Sequence, residues 1–256
     1  MRAKKSLGQH FLMHRSICER IVIASKVTSK DTVLEIGPGK GILTRALLSK
    51  VKCVVAVEAD DALYEQLKDT FSEEIKAKRL LLIHDDIREW NRKDLTGTYH
   101  VVANIPYYIT GEIIRSFLES AKKPSSMTLL VQKEVAERVA RTQKESLLSL
   151  SIKLYGLPTY CFTVSKGAFL PPPKVDSAVL SIQNIKKPPL AGKTEKKFFE
   201  VLHAGFGQKR KRLAKNLEKV ATKAKITKAF EKANLGENVR AEELSIKDWS
   251  TLVKNL

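Results

Sequence analysis

Four short segments carry residue types that can do chemistry on a bound molecule. The first is Glu35-Ile-Gly-Pro-Gly-Lys-Gly41. Glycines so spaced let a backbone pass close to a ligand with no Cβ in the way. The helix start beyond them offers unpaired N–H groups and a partial positive charge. The spacing is GxGxG rather than the GxGxxG of dinucleotide folds, and a plain tight turn is the alternative reading. The second segment is Ala56-Val-Glu58-Ala-Asp60. An acid roughly 20 residues past a glycine loop is the usual acceptor for ribose hydroxyls, and one carboxylate can take two of them. The alternative is a helix N-cap, a role better suited to Asp60 or Asp61. In His84-Asp85-Asp86-Ile87 an acid either accepts from an adenine amino group or is a solvated turn residue. The fourth segment is Asn104-Ile-Pro-Tyr107. Pro106 stiffens the turn. The Asn104 side-chain oxygen and the Ile105 carbonyl can together accept both hydrogens of an amino group on a base, and Tyr107 can stack on that base. The alternative is a strand-end turn with a half-buried aromatic.

These segments need strands to present them. Thr32–Ile36, Cys53–Val57, Leu80–Ile83, Val101–Ala103 and Thr128–Val131 read as strands. Helical spacing appears over Ile42–Lys50, Asp60–Phe71 and Ile113–Leu118. Such alternation predicts a parallel sheet with helices on both faces. Ligands bind at the carboxyl edge of such a sheet, so candidate groups at successive strand ends support one another. Ser149–Leu154 alternates as a half-exposed strand does, and Val175–Ile182 reads as a second late strand. Together they suggest an antiparallel hairpin at the sheet edge. Ile185–Gly192 is the linker candidate by its prolines and glycine. Beyond it Phe198, Phe199, Leu202 and Phe206 line one helical face, and Leu213, Leu217 and Val220 another. The expected domains are 1–185 and a small helical domain, 186–256.

Composition narrows the function class. The 256 residues are 43% hydrophobic and 29% charged, which allows a packed core and argues against global disorder. A net charge of +18 favours a polyanionic partner, nucleic acid or an anionic membrane, over a typical small-metabolite substrate. Residues 186–256 hold 18 basic and 8 acidic side chains, over half of the excess in under a third of the length. Cys18, Cys53 and Cys161 are far apart, and the five histidines form no metal-binding pattern, so neither a disulfide framework nor a metal site is expected. The basic N-terminus lacks the apolar run of a secretory signal, and no stretch reaches the roughly 18 apolar residues of a membrane span. A reducing cytoplasm is the expected compartment. Trp90 and Trp249 are expected to pack rather than to stack on bases.

Taken with further motifs, the chain resembles the ribosomal RNA adenine-N6,N6-dimethyltransferase family of the KsgA type. The resemblance runs from Leu7-Gly-Gln-His-Phe-Leu12 through the glycine loop, Glu58, Asp86 and Asn104-Ile-Pro-Tyr107. It continues through Phe169-Leu-Pro-Pro-Pro-Lys-Val-Asp-Ser177, Phe206–Lys211 and Arg240–Ser245. It implies a Rossmann-like methyltransferase fold, mostly parallel with a late antiparallel strand, and a small C-terminal helical domain. The methyl donor it implies is S-adenosylmethionine. The donor-binding positions are His10 (Asn in many relatives), Leu12, Gly37, Gly39, Glu58, Asp86 and Asn104, with Gly37 under the methionine moiety. Asn104, Ile105, Pro106, Tyr107 and Phe169 form the implied catalytic set, with Tyr107 and Phe169 clamping the adenine. Pro171–Pro173 either wall in Phe169 or only stiffen a loop. Lys209, Arg210, Lys211 and Arg212 are read as phosphate contacts or as a solvated basic face, and Lys4-Lys5 as RNA-facing or as a solvated terminus.

The implied reaction is dimethylation of N6 on two adjacent adenosines in a 3′-terminal hairpin of small-subunit rRNA, linked to ribosome biogenesis. The partner is the small ribosomal subunit, with no membrane and no metal, and the protein is read as a monomer. Two competing readings are a sister enzyme acting on large-subunit rRNA and a binding protein in which methylation is vestigial. The Phe169–Val175 segment and the basic tail weigh against the first, and Asn104 with Tyr107 against the second.

Overall fold

The computed structural model describes residues 9–188 and 193–256. Lys4-Lys5, the Leu7-Gly8 start of the N-terminal motif and Pro189–Gly192 of the expected linker lie outside the described residues. The chain runs β1 (Phe11–Leu12), α1 (Arg15–Ser25), β2 (Thr32–Ile36), α2 (Ile42–Leu48), β3 (Cys53–Glu58), α3 (Asp61–Thr70), α4 (Ser72–Lys76) and β4 (Leu80–His84). It continues with β5 (His100–Asn104), α5 (Thr110–Glu119), β6 (Ser126–Gln132), α6 (Lys133–Ala140), α7 (Leu147–Tyr155), β7 (Leu157–Val164), β8 (Phe169–Leu170) and β9 (Ser177–Gln183). The last helices are α8 (Lys193–Gly205), α9 (Leu213–Leu217), α10 (Lys223–Lys232) and α11 (Ile246–Asn255).

Seven strands form one sheet in the order β4-β3-β2-β5-β6-β9-β7. The first five pair in parallel, and β9 runs antiparallel between β6 and β7. The parallel core strands are buried along nearly their whole length, as Val-rich runs such as Cys53-Val-Val-Ala-Val57 require. From β2 the chain steps outward to β3 and β4 on one side, then returns to β5 and β6 on the other. The order therefore reverses between β2 and β5, and their carboxyl ends flank a crevice. A separate antiparallel pair, β1 with β8, sets Phe11 opposite Leu170 and Leu12 opposite Phe169.

The late strands differ from expectation. Ser149–Leu154 lies in helix α7, and the strand is β7, beginning at Leu157. The alternation arises because Ser149 and Ser151 are small enough to be buried beside Leu150 and Ile152. The Ser151 hydroxyl bonds back to the Leu147 carbonyl at 2.7 Å, which satisfies it within the helix. Pro158 is accommodated in β7 because that strand is a sheet edge.

The chain forms two compact units. One holds the residues up to Ala136 with Gly156–Ile185, and the other holds Glu137–Tyr155 with Lys186–Leu256. The stretch 137–155, expected in the first domain, thus groups with the tail. Its contacts there include a Tyr155 hydroxyl donated to Glu195 at 2.5 Å and a Lys144–Glu242 ion pair at 3.0 Å. Within this second unit Phe198, Leu202, Leu213, Leu217 and Trp249 form the buried centre, with Phe206 stacked on Trp249. Trp90 is buried in the first unit.

Candidate functional site

The glycine loop is shaped by three left-handed residues, Gly37, Gly39 and Gly41, with φ of 63°, 58° and 75°. Two of them have a second reason to lack a side chain. A Cβ on Gly39 would meet the Phe11 ring at 3.1 Å, and one on Gly41 would meet Phe71 at 2.5 Å. At Gly37 nothing among the described residues lies within 4 Å of where a Cβ would stand, which leaves room there for a ligand. The Gly37 N–H donates to the Val57 carbonyl at 2.9 Å and ties the loop to the end of β3.

Glu58 is buried at that strand end. Its two carboxylate oxygens are oriented by backbone donors, Oε2 by the Gly39 N–H and Oε1 by the Asp60 N–H, each at 3.0 Å. Burial raises its pKa, and these donors offset part of the rise. The helix cap is supplied instead by Asp60, which accepts from Ala62 and Leu63 N–H at 3.1 Å. Glu58 is thereby left for the cleft, on whose wall it stands.

That cleft encloses about 870 Å³ of empty space including its open mouth. His10, Gly37, Gly39, Glu58, Asp86, Asn104, Ile105, Pro106 and Tyr107 all line it. Sequence reasoning missed Phe11, Arg88 and Tyr108, which also line it. Phe11 was legible as a neighbour of His10, whereas an exposed arginine or tyrosine carries no local signal. Hydrogen bonds from Arg88 hold the Asp86 carboxyl below the usual carboxylate range. Asp86 is half-buried, as a residue facing a cleft must be.

Asn104 ends β5 and is tied to a segment far away in sequence. Its Nδ2 donates to the His10 carbonyl at 3.0 Å, which leaves Oδ1 as the acceptor. The His10 ring stacks on Tyr107 with centroids 5.8 Å apart and shares a hydrogen bond between Nδ1 and the Pro171 carbonyl at 2.8 Å. Tyr107 sits in a short 3₁₀ turn, its hydroxyl 2.5 Å from Ser177 Oγ, and burial raises its pKa. The N-terminal arm, the strand-end tetrapeptide and the proline-rich segment thus converge on one wall.

Two expected positions lie elsewhere. Phe169 is 3% exposed, packs in the hydrophobic core and is not on the cleft wall. Pairing opposite Leu12 sets its ring in the core with Val164 and Val179. Leu12 is likewise a core residue and reaches only a small second cavity, which shares Phe11, Gly37, Gly39 and Asn104 with the cleft. Glu35 also borders this cavity. It is fully buried, its Oε2 has no hydrogen-bond partner among the described residues, and burial pushes its pKa to about 8.

In the second unit Lys209, Arg210, Lys211 and Arg212 are all exposed on the connection between α8 and α9. The connection is pinned from beneath by buried Asn216, whose Nδ2 donates to the Gly205 and Gln208 carbonyls at 2.6 and 3.1 Å. Among the described residues no cluster of His, Cys, Asp and Glu could hold a metal, and no helix is long and apolar enough to cross a membrane.

Known proteins share both the sequence and the fold. A ribosomal RNA small subunit methyltransferase A of Dehalococcoides mccartyi is 41% identical over 98% of this chain and 88% of its own length. The protein of that name from Mycoplasmopsis pulmonis is 38% identical over the whole of both chains. Among solved structures, a dimethyladenosine transferase from Plasmodium falciparum aligns with a TM-score of 0.80 at 25% identity, covering 95% of this chain and 96% of that one. The 23S rRNA methyltransferase ErmE shares the fold at a TM-score of 0.79 and 23% identity, covering 96% and 99%. The sequence profile described as ribosomal RNA adenine dimethylase matches residues 1–256. With the cleft, the strand-end asparagine and these relatives in agreement, the chain belongs to the ribosomal RNA adenine dimethylase family.

Proposed function

We propose that this enzyme dimethylates N6 of two adjacent adenosines in a 3′-terminal hairpin of small-subunit rRNA, with S-adenosylmethionine as donor. The observation that carries the reading is the amide of Asn104. Its N–H₂ is committed to the His10 carbonyl, so its oxygen is held as an acceptor at the cleft wall.

The residues present fit the donor. Glu58, fixed by two backbone N–H groups, can accept both ribose hydroxyls. The open space over Gly37 takes the methionine moiety, and Asp86 stands where an adenine amine can donate to it. When bound, the donor supplies a methyl group on a positively charged sulfur, already activated toward a nitrogen lone pair. What the chain must do is present that lone pair. The exocyclic N6 of adenine is conjugated with its ring and is a poor nucleophile. Hydrogen bonds from N6 to Asn104 Oδ1 and the Ile105 carbonyl favour a pyramidal nitrogen whose lone pair is free to attack. Pro106 fixes the turn that places both acceptors, and Tyr107, tethered by Ser177 and His10, offers a ring to stack on the base. Catalysis is then positioning and preorganised electrostatics. Phe169 anchors the proline-rich segment in the core.

A target adenine must leave its stack to enter such a cleft. We assign RNA phosphate binding to the exposed Lys209–Arg212 turn, and the cytoplasm as the compartment. The decisive experiment is transfer of labelled methyl groups to small and large subunits lacking the modification, followed by primer extension. Asn104→Ala should lower transfer at least about 100-fold with RNA binding near that of the wild type. Modification of large subunits alone, or an active Asn104→Ala enzyme, would overturn the proposal.

A further inference from the structure

Asp86 does not face the cleft unclaimed. Oδ1 accepts from the Arg88 backbone N–H at 2.9 Å and from Arg88 Nε at 3.0 Å. Oδ2 accepts from Nε at 3.2 Å and from Nη2 at 2.5 Å. Three N–H groups of Arg88 thus engage both carboxylate oxygens, with Nε shared between them. An adenine amine that bonds Asp86 competes with that set for its lone pairs. The backbone bond cannot leave without moving the turn, so it is the guanidinium that must give way. The guanidinium is free to do so, because its side chain is 45% exposed while that of Asp86 is 29% exposed.

We propose that Arg88 is a gate on the adenine subsite: its guanidinium holds Asp86 in the free enzyme and yields that carboxylate to the adenine amine. The proposal rests on the reading of Asp86 as the acceptor of the adenine amine. Its consequence is that the enzyme holds its cofactor less tightly than the site allows. Such a gate acts alike on donor and spent donor, because both carry the same adenine. It also depends on the amine itself, which an analogue bearing hypoxanthine lacks.

The test is titration calorimetry of the full chain with S-adenosylhomocysteine and with S-inosylhomocysteine, using the wild type, Arg88→Met and Asp86→Asn. An exposed ion pair that must be opened sets the scale. At low salt Arg88→Met should bind S-adenosylhomocysteine about two- to fivefold more tightly than the wild type. The advantage should vanish at about 0.5 M salt, where the ion pair is screened. S-inosylhomocysteine should gain nothing from the substitution. If Arg88→Met binds S-adenosylhomocysteine equally or more weakly while Asp86→Asn weakens it, Arg88 orients Asp86 and the gate is refuted. If Asp86→Asn itself leaves affinity unchanged, the adenine reading fails, and the gate fails with it.

Discussion

Glu35 is the next-to-last residue of β2, just before the glycine loop. It is fully buried, its Oε2 lacks a partner among the described residues, and the Glu58 carboxylate adds repulsion to the cost of burial. Thr44 pulls in the opposite direction, although its hydroxyl also lacks a hydrogen bond of good geometry. Burial wins, and the pKa rises from 4.5 to about 8. The folded protein therefore holds a proton at neutral pH that the unfolded chain has released. Stability from this source is complete below pH 4.5, erodes as pH rises and is lost above about pH 8. At 1.36 kcal/mol per pH unit, the loss between pH 5 and pH 8 comes to about 3 kcal/mol. Glu35→Gln is neutral at every pH and nearly the same shape, so it should abolish this slope. Urea unfolding of both proteins at pH 5, 6, 7 and 8, without ligand, reads it directly. Any fixed penalty for burying the glutamine amide shifts the two curves by a constant and does not alter the slope. Other titrating groups cancel in the difference between the two proteins. The stability difference should move by about 3 kcal/mol in favour of Glu35→Gln across that range. Parallel curves would show that Glu35 is ionised in the folded state, and the reasoning from burial would be wrong.

Other outcomes follow from the same geometry. Gly41→Ala puts a Cβ 2.5 Å from Phe71 at a φ of 75°, and should cost about 2 kcal/mol or more in urea unfolding, whether or not donor binding survives. Ser177→Ala frees the Tyr107 hydroxyl; methyl transfer should drop by about fivefold with S-adenosylhomocysteine affinity unchanged, since the lost hydrogen bond is worth about 1 kcal/mol. Replacing Lys209, Arg210, Lys211 and Arg212 together by alanine should weaken RNA binding and reduce the slope of log affinity against log salt by about 2 to 3, measured by filter binding. An unchanged slope would remove that turn from the RNA interface.

The expectation of a parallel sheet holds because each strand announces itself locally. Runs such as Cys53–Val57 are too apolar for a surface and too β-branched for a helix end. The reading failed at Ser149–Leu154, where alternation of serine and large aliphatics fits either a strand face or a helix buried all round. Only the neighbours available to bury those serines decide between the two.

The same division runs through the site. Gly37, Glu58, Asp86 and Asn104 were legible because each sits where a strand meets a turn, and the demands of that junction are local: a positive φ, an acceptor, a fixed proline turn. No local rule brings the His10 carbonyl to Asn104 across 94 residues, or sets Phe11 and Leu12 beside Leu170 and Phe169. Those contacts depend on which backbone edges remain unpaired once the sheet has closed. They set Phe169 in the core and turn the oxygen of Asn104 to the cleft. Residue type specified the chemistry each group can do, whereas packing across long separations decided which of its atoms are left to do it.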